Sequence, residues 1–192
     1  MSAIAFASVT ASIRAVLSES TEVVASAGVS TLRPDQLRDD TRRGINIFLF
    51  QASPNPEFRN AEVPLHIADS VAQTPVSAWD LVYLLTFLGD EDKLEPQRLM
   101  GAAIAQLQAA PVLLPEFIDG ALDGEPGLAA SNLAQQAVPV RLSVEALTLE
   151  GLERIWSLFQ VPYRLSVVVR AGPVMVDASP PPAQRAVLQA VT

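Results

Sequence analysis

The chain contains no cysteine and one histidine, His66, among its 192 residues. Without cysteine, there can be no disulfides, thiolate nucleophiles or thiolate metal ligands, which suits an intracellular origin. A Ser-His-Asp site would need His66 paired with a serine that no spacing identifies, and a zinc site would depend on carboxylates. We therefore expect no catalytic residue, no metal ion and no cofactor.

Long apolar runs and phosphate-binding loops are also missing. The richest apolar run, Leu81 to Leu88, is far too short to span a bilayer. The first positive charge, Arg14, follows the apolar N-terminal stretch, whereas a secretory signal has its charge in front. No glycine-rich phosphate loop follows a strand pattern. We expect a soluble protein that does not insert into a membrane.

The net charge of −8 is concentrated in one interval. Between Asp90 and Glu125 there are eight acidic residues and only two basic ones, Lys93 and Arg98. This interval therefore carries −6 of the total net charge. Such a surface is a poor partner for nucleic acid. It is typical of a solvated face, although contact with a basic protein surface is the alternative. The Asp90-Glu91-Asp92 cluster lacks the spacing and central glycine of an EF-hand, which favours a solvated turn over a calcium site.

The clearest pattern is a strand, a helix and a second strand between Val138 and Val176. Apolar residues first occupy every second position, as in a strand with one buried face. They then change to the three and four spacing of a helix that begins after Thr148 and ends before Pro162. This helical stripe comprises Leu149, Leu152, Ile155, Trp156 and Phe159.

The whole chain predicts an α+β fold with a mainly antiparallel or mixed sheet of about five strands and three amphipathic helices. The predicted strands are Val29–Leu32, Ile45–Phe50, Val76–Leu88, Val138–Leu147 and Tyr163–Val176. The predicted helices are Ser2–Ser18, Pro96–Ala109 and Leu149–Phe159. Between Pro111 and Ala137, the glycines and prolines favour a loop with at most a turn or two of helix.

Aromatic residues and proline-rich segments divide the chain into a core and two candidate interaction segments. Four aromatic residues fall on faces with buried periodicity and are expected to anchor the core, namely Trp79, Tyr83, Trp156 and Tyr163. Residues 1–178 are expected to form a single domain, followed by a flexible proline-rich tail at 179–192 in which Pro180 to Pro182 form an extended spacer. The loop from Ser53 to Thr74 and this tail carry apolar residues suited to an interface, namely Phe58, Val63, Leu65, Val187, Leu188 and Val191.

Several of these segments together resemble a known family. In the first half, these are Tyr83-Leu84-Leu85-Thr86, the acidic turn, Arg98-Leu99-Met100-Gly101 and Pro111-Val112-Leu113. In the second half, they are Leu147-Thr148-Leu149-Glu150, Ile155-Trp156 and Pro162-Tyr163-Arg164-Leu165-Ser166-Val167. The resemblance covers roughly residues 1 to 178 and is to the cap proteins, or tail and sheath terminators, of extracellular contractile injection systems. The family has an acidic residue and a histidine where this chain has Pro96-Gln97.

This resemblance implies a phage tail-terminator-like fold and a structural role without enzymatic activity. It implies a ring of copies of the chain, six in number, that ends the inner tube and contractile sheath of a phage-tail-like particle. The partners would be other copies of the chain, the tube protein and the sheath protein. The place would be the bacterial cytoplasm during assembly and the assembled particle afterwards. The family offers no catalytic residues to carry over.

Alternative functions are another adaptor component of such a particle, or a monomeric binding or enzymatic domain with residues 53–74 as a lid. Oligomeric state separates the monomer from the cap. A mass near one chain by light scattering, with no ring in negative stain, would favour the monomer.

Overall fold

The computed structural model describes residues 4–38, 41–58 and 76–177. These residues form an α+β fold with a five-stranded mixed sheet, which confirms the predicted class. The strands are β1 (Gly28–Ser30), β2 (Gly44–Pro54), β3 (Val76–Leu88), β4 (Arg141–Glu145) and β5 (Ser166–Asp177). The α-helices are α1 (Ala5–Ser18), α2 (Glu95–Ala109), α3 (Pro115–Leu122) and α4 (Leu149–Phe159).

The strands lie in the order β1-β2-β3-β5-β4. Only β1 and β2 are parallel; every other neighbouring pair is antiparallel. The predicted Val76–Leu88 strand is therefore the centre of the sheet. Its alternate residues point to opposite faces, so it contributes to two separate cores.

The larger core lies on the face covered by α1, α2 and α3. From β3 it takes Leu81, Tyr83 and Leu85, whose side chains are fully buried. Val9, Ile13 and Leu17 of α1 follow the helical spacing and are also fully buried. This core continues to β5 through Val169, Ala171 and Val174.

The smaller core lies on the opposite face under α4. Trp156 is 3% exposed and packs with Val82, Leu84 and Val168. Thr148 begins the helix as predicted, because its Oγ1 accepts a hydrogen bond from the Gly151 amide at 3.1 Å. The sheet thus carries helices on both faces, and α4 is the one α-helix on the second face in the part of the chain that the structure describes.

The end of α4 is held to the 3₁₀ turn Pro34–Leu37 by two arginines. Arg38 donates to the carbonyl of Gln160 at 2.5 Å. In return, Arg164 donates to the carbonyls of Leu37 at 3.0 Å and Arg38 at 3.3 Å. The two segments are 122 or more residues apart in sequence, so these bonds are tertiary contacts.

A buried asparagine determines where the chain goes after β1. Asn46 has no exposed surface, and its amide bonds to both backbone groups of Leu32, accepting from N–H at 2.8 Å and donating to C=O at 3.0 Å. Its side chain shares a strand face with Phe48, on the side of α4. These bonds draw the chain off the sheet edge towards α4 and end β1 after three residues.

Several predicted bounds and burials are wrong. The Tyr163–Val176 strand begins only at Ser166, and Tyr163 is 54% exposed, so Tyr163 is not a core anchor. The alternating pattern that includes Tyr163 begins in a loop before the strand. In this loop, the Tyr163 ring packs edge-to-face with Trp156. Leu149 is 79% exposed because it starts the helix, beyond the sheet residues that α4 covers.

The remaining differences concern the ends of elements. The predicted Val138–Leu147 strand shortens to β4, and its Val144 is 42% exposed on the outermost strand of the sheet. The predicted Ile45–Phe50 strand extends to Pro54, so the first residues of the expected 53–74 loop belong to β2. The helix α3 is a full eight residues, where only a turn or two was predicted.

Candidate interaction surface

The sheet face under α4 is only half covered by that helix, and its other half is polar. Asp80 lies on β3, Arg170 on β5 and Glu145 on β4. Their side chains are on the same face of the sheet as those of Leu84 and Val82. A charged residue in such an apolar strand must find partners, since an unpaired buried charge is very costly. These three side chains are partners of one another.

Arg170 lies between the two carboxylates. Its Nη1 is 3.3 Å from Asp80 Oδ2, and its Nη2 donates to Glu145 Oε2 at 3.0 Å while Nε bonds Glu145 Oε1. The hydrogen bonds that Arg170 donates to Glu145, opposed by partial burial, raise the pKa of Arg170. Asp80 is only 6% exposed and also accepts from Asn55 Nδ2 at 2.8 Å. The guanidinium charge is therefore balanced within the protein.

Gly172 makes room for this cluster. A Cβ at this position would lie 2.2 Å from Asp80 Oδ1, which is closer than any real contact. Asp80 and Arg170 line one side of an open cleft of about 420 Å³ that also includes Arg141 and Pro173. Among the described residues that line this cleft, the buried carboxylate of Asp80 is already paired with Arg170.

The acidic turn before α2 also satisfies its own groups. Asp90 Oδ1 accepts from the Asp92 amide at 3.1 Å, and Lys93 lies 2.9 Å from the Asp90 carboxylate. This hydrogen bond from Lys93 lowers the pKa of Asp90. The buried Glu95 accepts from the Asp90 amide at 2.8 Å and pairs with Arg43 at 3.3 Å. Within the described ranges, no group of three His, Cys, Asp or Glu residues is placed to hold a metal ion.

The exposed apolar side chains of the described residues include those near α4 and those at the start of α3. On and beside α4, Leu149 is 79% exposed, Leu158 77% and Tyr163 54%. At the start of α3, Leu114 is 51% exposed and Phe117 38%. Exposed apolar side chains of this size supply area for contact with another protein.

The structure places the predicted residues unevenly. Tyr83 and Trp156 are buried, and Trp79 is half-buried against Phe6 with ring centroids 6.0 Å apart. Phe58 is half-buried at the last described residue before the gap. Val63, Leu65, Val187, Leu188 and Val191 lie outside the described residues, as does His66.

Sequence reasoning missed the Asp80, Arg170 and Glu145 cluster and the exposed leucines of α4. One signal was available, because Asp80 is the only charged residue within the apolar Val76–Leu88 strand. A second signal was Leu158, an apolar residue that lies about a third of a turn away from the centre of the apolar stripe that contains Trp156. The pairing of Asp80 with Arg170 could not be read from sequence, because 90 residues separate them.

Together these features define an α+β domain in which the buried carboxylates of Asp80 and Glu95 pair with arginines and in which the exposed leucines suit contact with protein. No described helix combines the length and the apolar character needed to cross a bilayer. The chain belongs to the family described as the Pvc16 N-terminal domain, whose sequence model matches residues 8–189.

Two solved structures share the fold. One is the sheath/tube terminator, in the extended state, of the extracellular contractile injection system PVC, with a TM-score of 0.61 at 16% identity over 94% of this chain. The other is the tube-terminating cap of the anti-feeding prophage, with a TM-score of 0.59 at 16% identity over 90% of this chain. This chain spans 58% and 55% of their lengths, respectively. No curated protein matches the sequence.

Proposed function

We propose that this protein is a structural cap that ends the inner tube and contractile sheath of a phage-tail-like injection particle. The observation that carries the proposal is the family match over residues 8–189. The fold shared with a sheath/tube terminator and a tube-terminating cap supports it. In this role the protein forms a ring, of six copies, on the last ring of tube and sheath subunits.

The site chemistry agrees with a binding role. The buried carboxylate of Asp80 pairs with the half-buried Arg170, so the charges of this cluster already have partners within the fold. The exposed leucines of α4 supply apolar area for a protein partner. The protein is assembled in the bacterial cytoplasm and remains part of the finished particle.

The proposal assigns residues 1–178 to the folded domain and the tail at 179–192 to the interface. The tail residues Val187, Leu188 and Val191 gain buried partners only on the particle, which offsets the entropy of ordering them. The segment from Ser53 to Thr74, with Phe58, Val63 and Leu65, contributes in the same way.

The test combines the protein with its tube and sheath proteins and follows co-purification and particle length by negative stain. We expect the protein on particle ends and particles of uniform length only when it is present. Deletion of residues 183–192 should leave the melting temperature nearly unchanged and weaken retention on sheathed tubes. A protein that stays monomeric and does not co-purify with tube or sheath would refute the cap.

A further inference from the structure

Among the described residues, no strand pairs with most of the outer edge of β2. The strand has 11 residues, but β1 pairs with only three of them, Gly44 to Asn46. Gly28 donates to the carbonyl of Arg43, so residues 45, 47 and 49 direct their backbone groups to the same side. From Leu49 onward, no residue in the described ranges bonds to this side of β2.

The fold itself exposes this edge. The Asn46 amide holds Leu32 over the α4 face, and the chain that could have continued β1 beside Leu49 is diverted. Asn46 is completely buried, so this diversion is a fixed part of the core. A single buried side chain therefore turns the segment after β1 away from this edge.

The open edge lacks the charge that normally protects edge strands. Proteins discourage edge pairing with lysines and other charges, prolines and bulges. The stretch Leu49 to Pro54 has no charged residue. Two protective features remain, a bulge after Leu49 and Pro54 at the end. The uncharged edge residues before Ser53 and Pro54 are Leu49 to Ala52, and the bulge between Leu49 and Gln51 lies within them.

An apolar groove runs beside this edge. It has a volume of about 400 Å³ and lies between α1, the end of β1 and the segment after α3. Apolar and small residues from these elements form its walls, namely Ala7, Ala11, Thr31, Ile47, Leu49 and Leu128. The Arg14 and Glu125 charges at its rim pair with each other. A strand added here would place alternate side chains in the groove, so the occupant must be neutral and apolar.

The tail of the chain has this composition. Residues 183–192 carry one charge, Arg185, and the apolar residues Val187, Leu188 and Val191. They follow β5, which ends at Asp177 opposite Val76, at the same end of the sheet as Pro54. To reach its own β2 edge, the tail would have to reverse direction within a few residues. Three consecutive prolines instead favour an extended spacer of about 9 Å.

We propose that the β2 edge from Leu49 to Ala52 receives the segment 183–192 of a second copy of this chain as an added strand. The inference rests on the proposed function, because it names the contact by which neighbouring copies are linked in the ring. Backbone hydrogen bonds at the edge give the affinity, and the groove beside Ile47 and Leu49 selects apolar side chains. Because each chain has both an open edge and an apolar tail, the tail of one copy can bind the edge of the next. Such head-to-tail contacts can close into a ring.

The absence of cysteine allows a direct test by disulfide trapping. One full-length chain carries Ala52→Cys, and a second carries either Val187→Cys or Leu188→Cys. Adjacent residues of a strand point to opposite faces, so one of these two tail positions would place its thiol on the same face as Ala52. Directly opposed strand residues have Cβ atoms about 4.5–5.5 Å apart, close to disulfide distance. The control chain carries Ala109→Cys, at a residue that is also exposed but lies at the end of α2. Mixtures are oxidised free and on particle ends, and mixed disulfides are measured by mass spectrometry.

We expect at least fivefold more mixed disulfide with Ala52→Cys than with Ala109→Cys, and its loss on adding excess peptide 183–192. Equal yields with the two chains, or none with either tail position, would overturn the inference. A chain carrying both Ala52→Cys and Val187→Cys that bridges only within itself would also overturn it. Loss of trapping while particles are still capped refutes this contact alone, whereas trapping without capping refutes the proposed function alone.

Discussion

Truncation of Trp156 to alanine should destabilise the protein substantially, because this residue anchors α4. The side chain is 3% exposed and packs on Val82, Leu84 and Val168. A buried tryptophan removes about 250 Å² from water, which at about 25 cal/mol per Å² gives an upper figure near 6 kcal/mol. Measured truncations of buried aromatic residues cost about 3–5 kcal/mol. That is a large part of the 5–15 kcal/mol that stabilises a typical domain.

Urea denaturation gives the free energy of unfolding of the Trp156→Ala variant. Its melting temperature should fall by roughly 6–20 °C for a domain of this size. The two cores also predict where the loss occurs. Trp156 belongs to the smaller core, which is separate from the core under α1 to α3. Hydrogen exchange should therefore accelerate first in α4, while the amides of β3 stay protected longest.

Leu158→Ala is the matched control, since it lies on the same helix but is 77% exposed. It should change the free energy of unfolding by no more than about 0.5 kcal/mol. Equal stabilities for the Trp156→Ala and Leu158→Ala variants would refute the two-core argument. Exchange rates in α4 unchanged by Trp156→Ala would do the same.

Other predictions concern the polar cluster, pH and function. Gly172→Ala places a Cβ 2.2 Å from Asp80 Oδ1 and should cost about 1–3 kcal/mol in urea denaturation, while Gly101→Ala, which meets nothing within 4 Å, should stabilise by about 0.5–1 kcal/mol. Burial raises the pKa of Tyr83, so its contribution to stability is present below pH about 10 and lost as pH rises further. In a Tyr163→Phe background, tyrosinate absorbance should appear only with unfolding, and ionisation of Tyr83 in the folded protein would contradict this. His66→Ala should leave particle capping intact, and its loss with folding retained would overturn the non-enzymatic role.

The elements that sequence located well have strong local patterns. The strand Val76–Leu88 and the helix Leu149–Phe159 have the predicted bounds because period, capping residue and flanking breakers agree. Tyr163 shows where the same reasoning fails. Its alternation with Leu165 and Val167 continues that of the strand, but the chain joins the sheet only at Ser166. Periodicity cannot show where pairing begins, because the partner strand supplies that information.

Non-local contacts were beyond sequence reasoning for the same physical reason. The position of β5 between β3 and β4, and the meeting of Asp80 with Arg170, depend on which strands become neighbours. The open edge of β2 was hidden as well. It depends on the short length of β1 and on the Asn46 hydrogen bonds, neither of which the apolar pattern of Ile45 to Phe50 records.

The central place of β3 has a consequence for synthesis of the protein. Its Thr86 pairs with Ser166 and its Val76 with Asp177, so these partners are 80 to 101 residues apart. At about 5–20 residues per second, the ribosome needs about 4–20 s to make β5 after β3. During that time, the most apolar strand of the chain has one unpaired edge. Long-range pairing of this kind slows folding and favours aggregation of nascent chains. The yield of the folded protein in cells should therefore depend on chaperones that bind such strands.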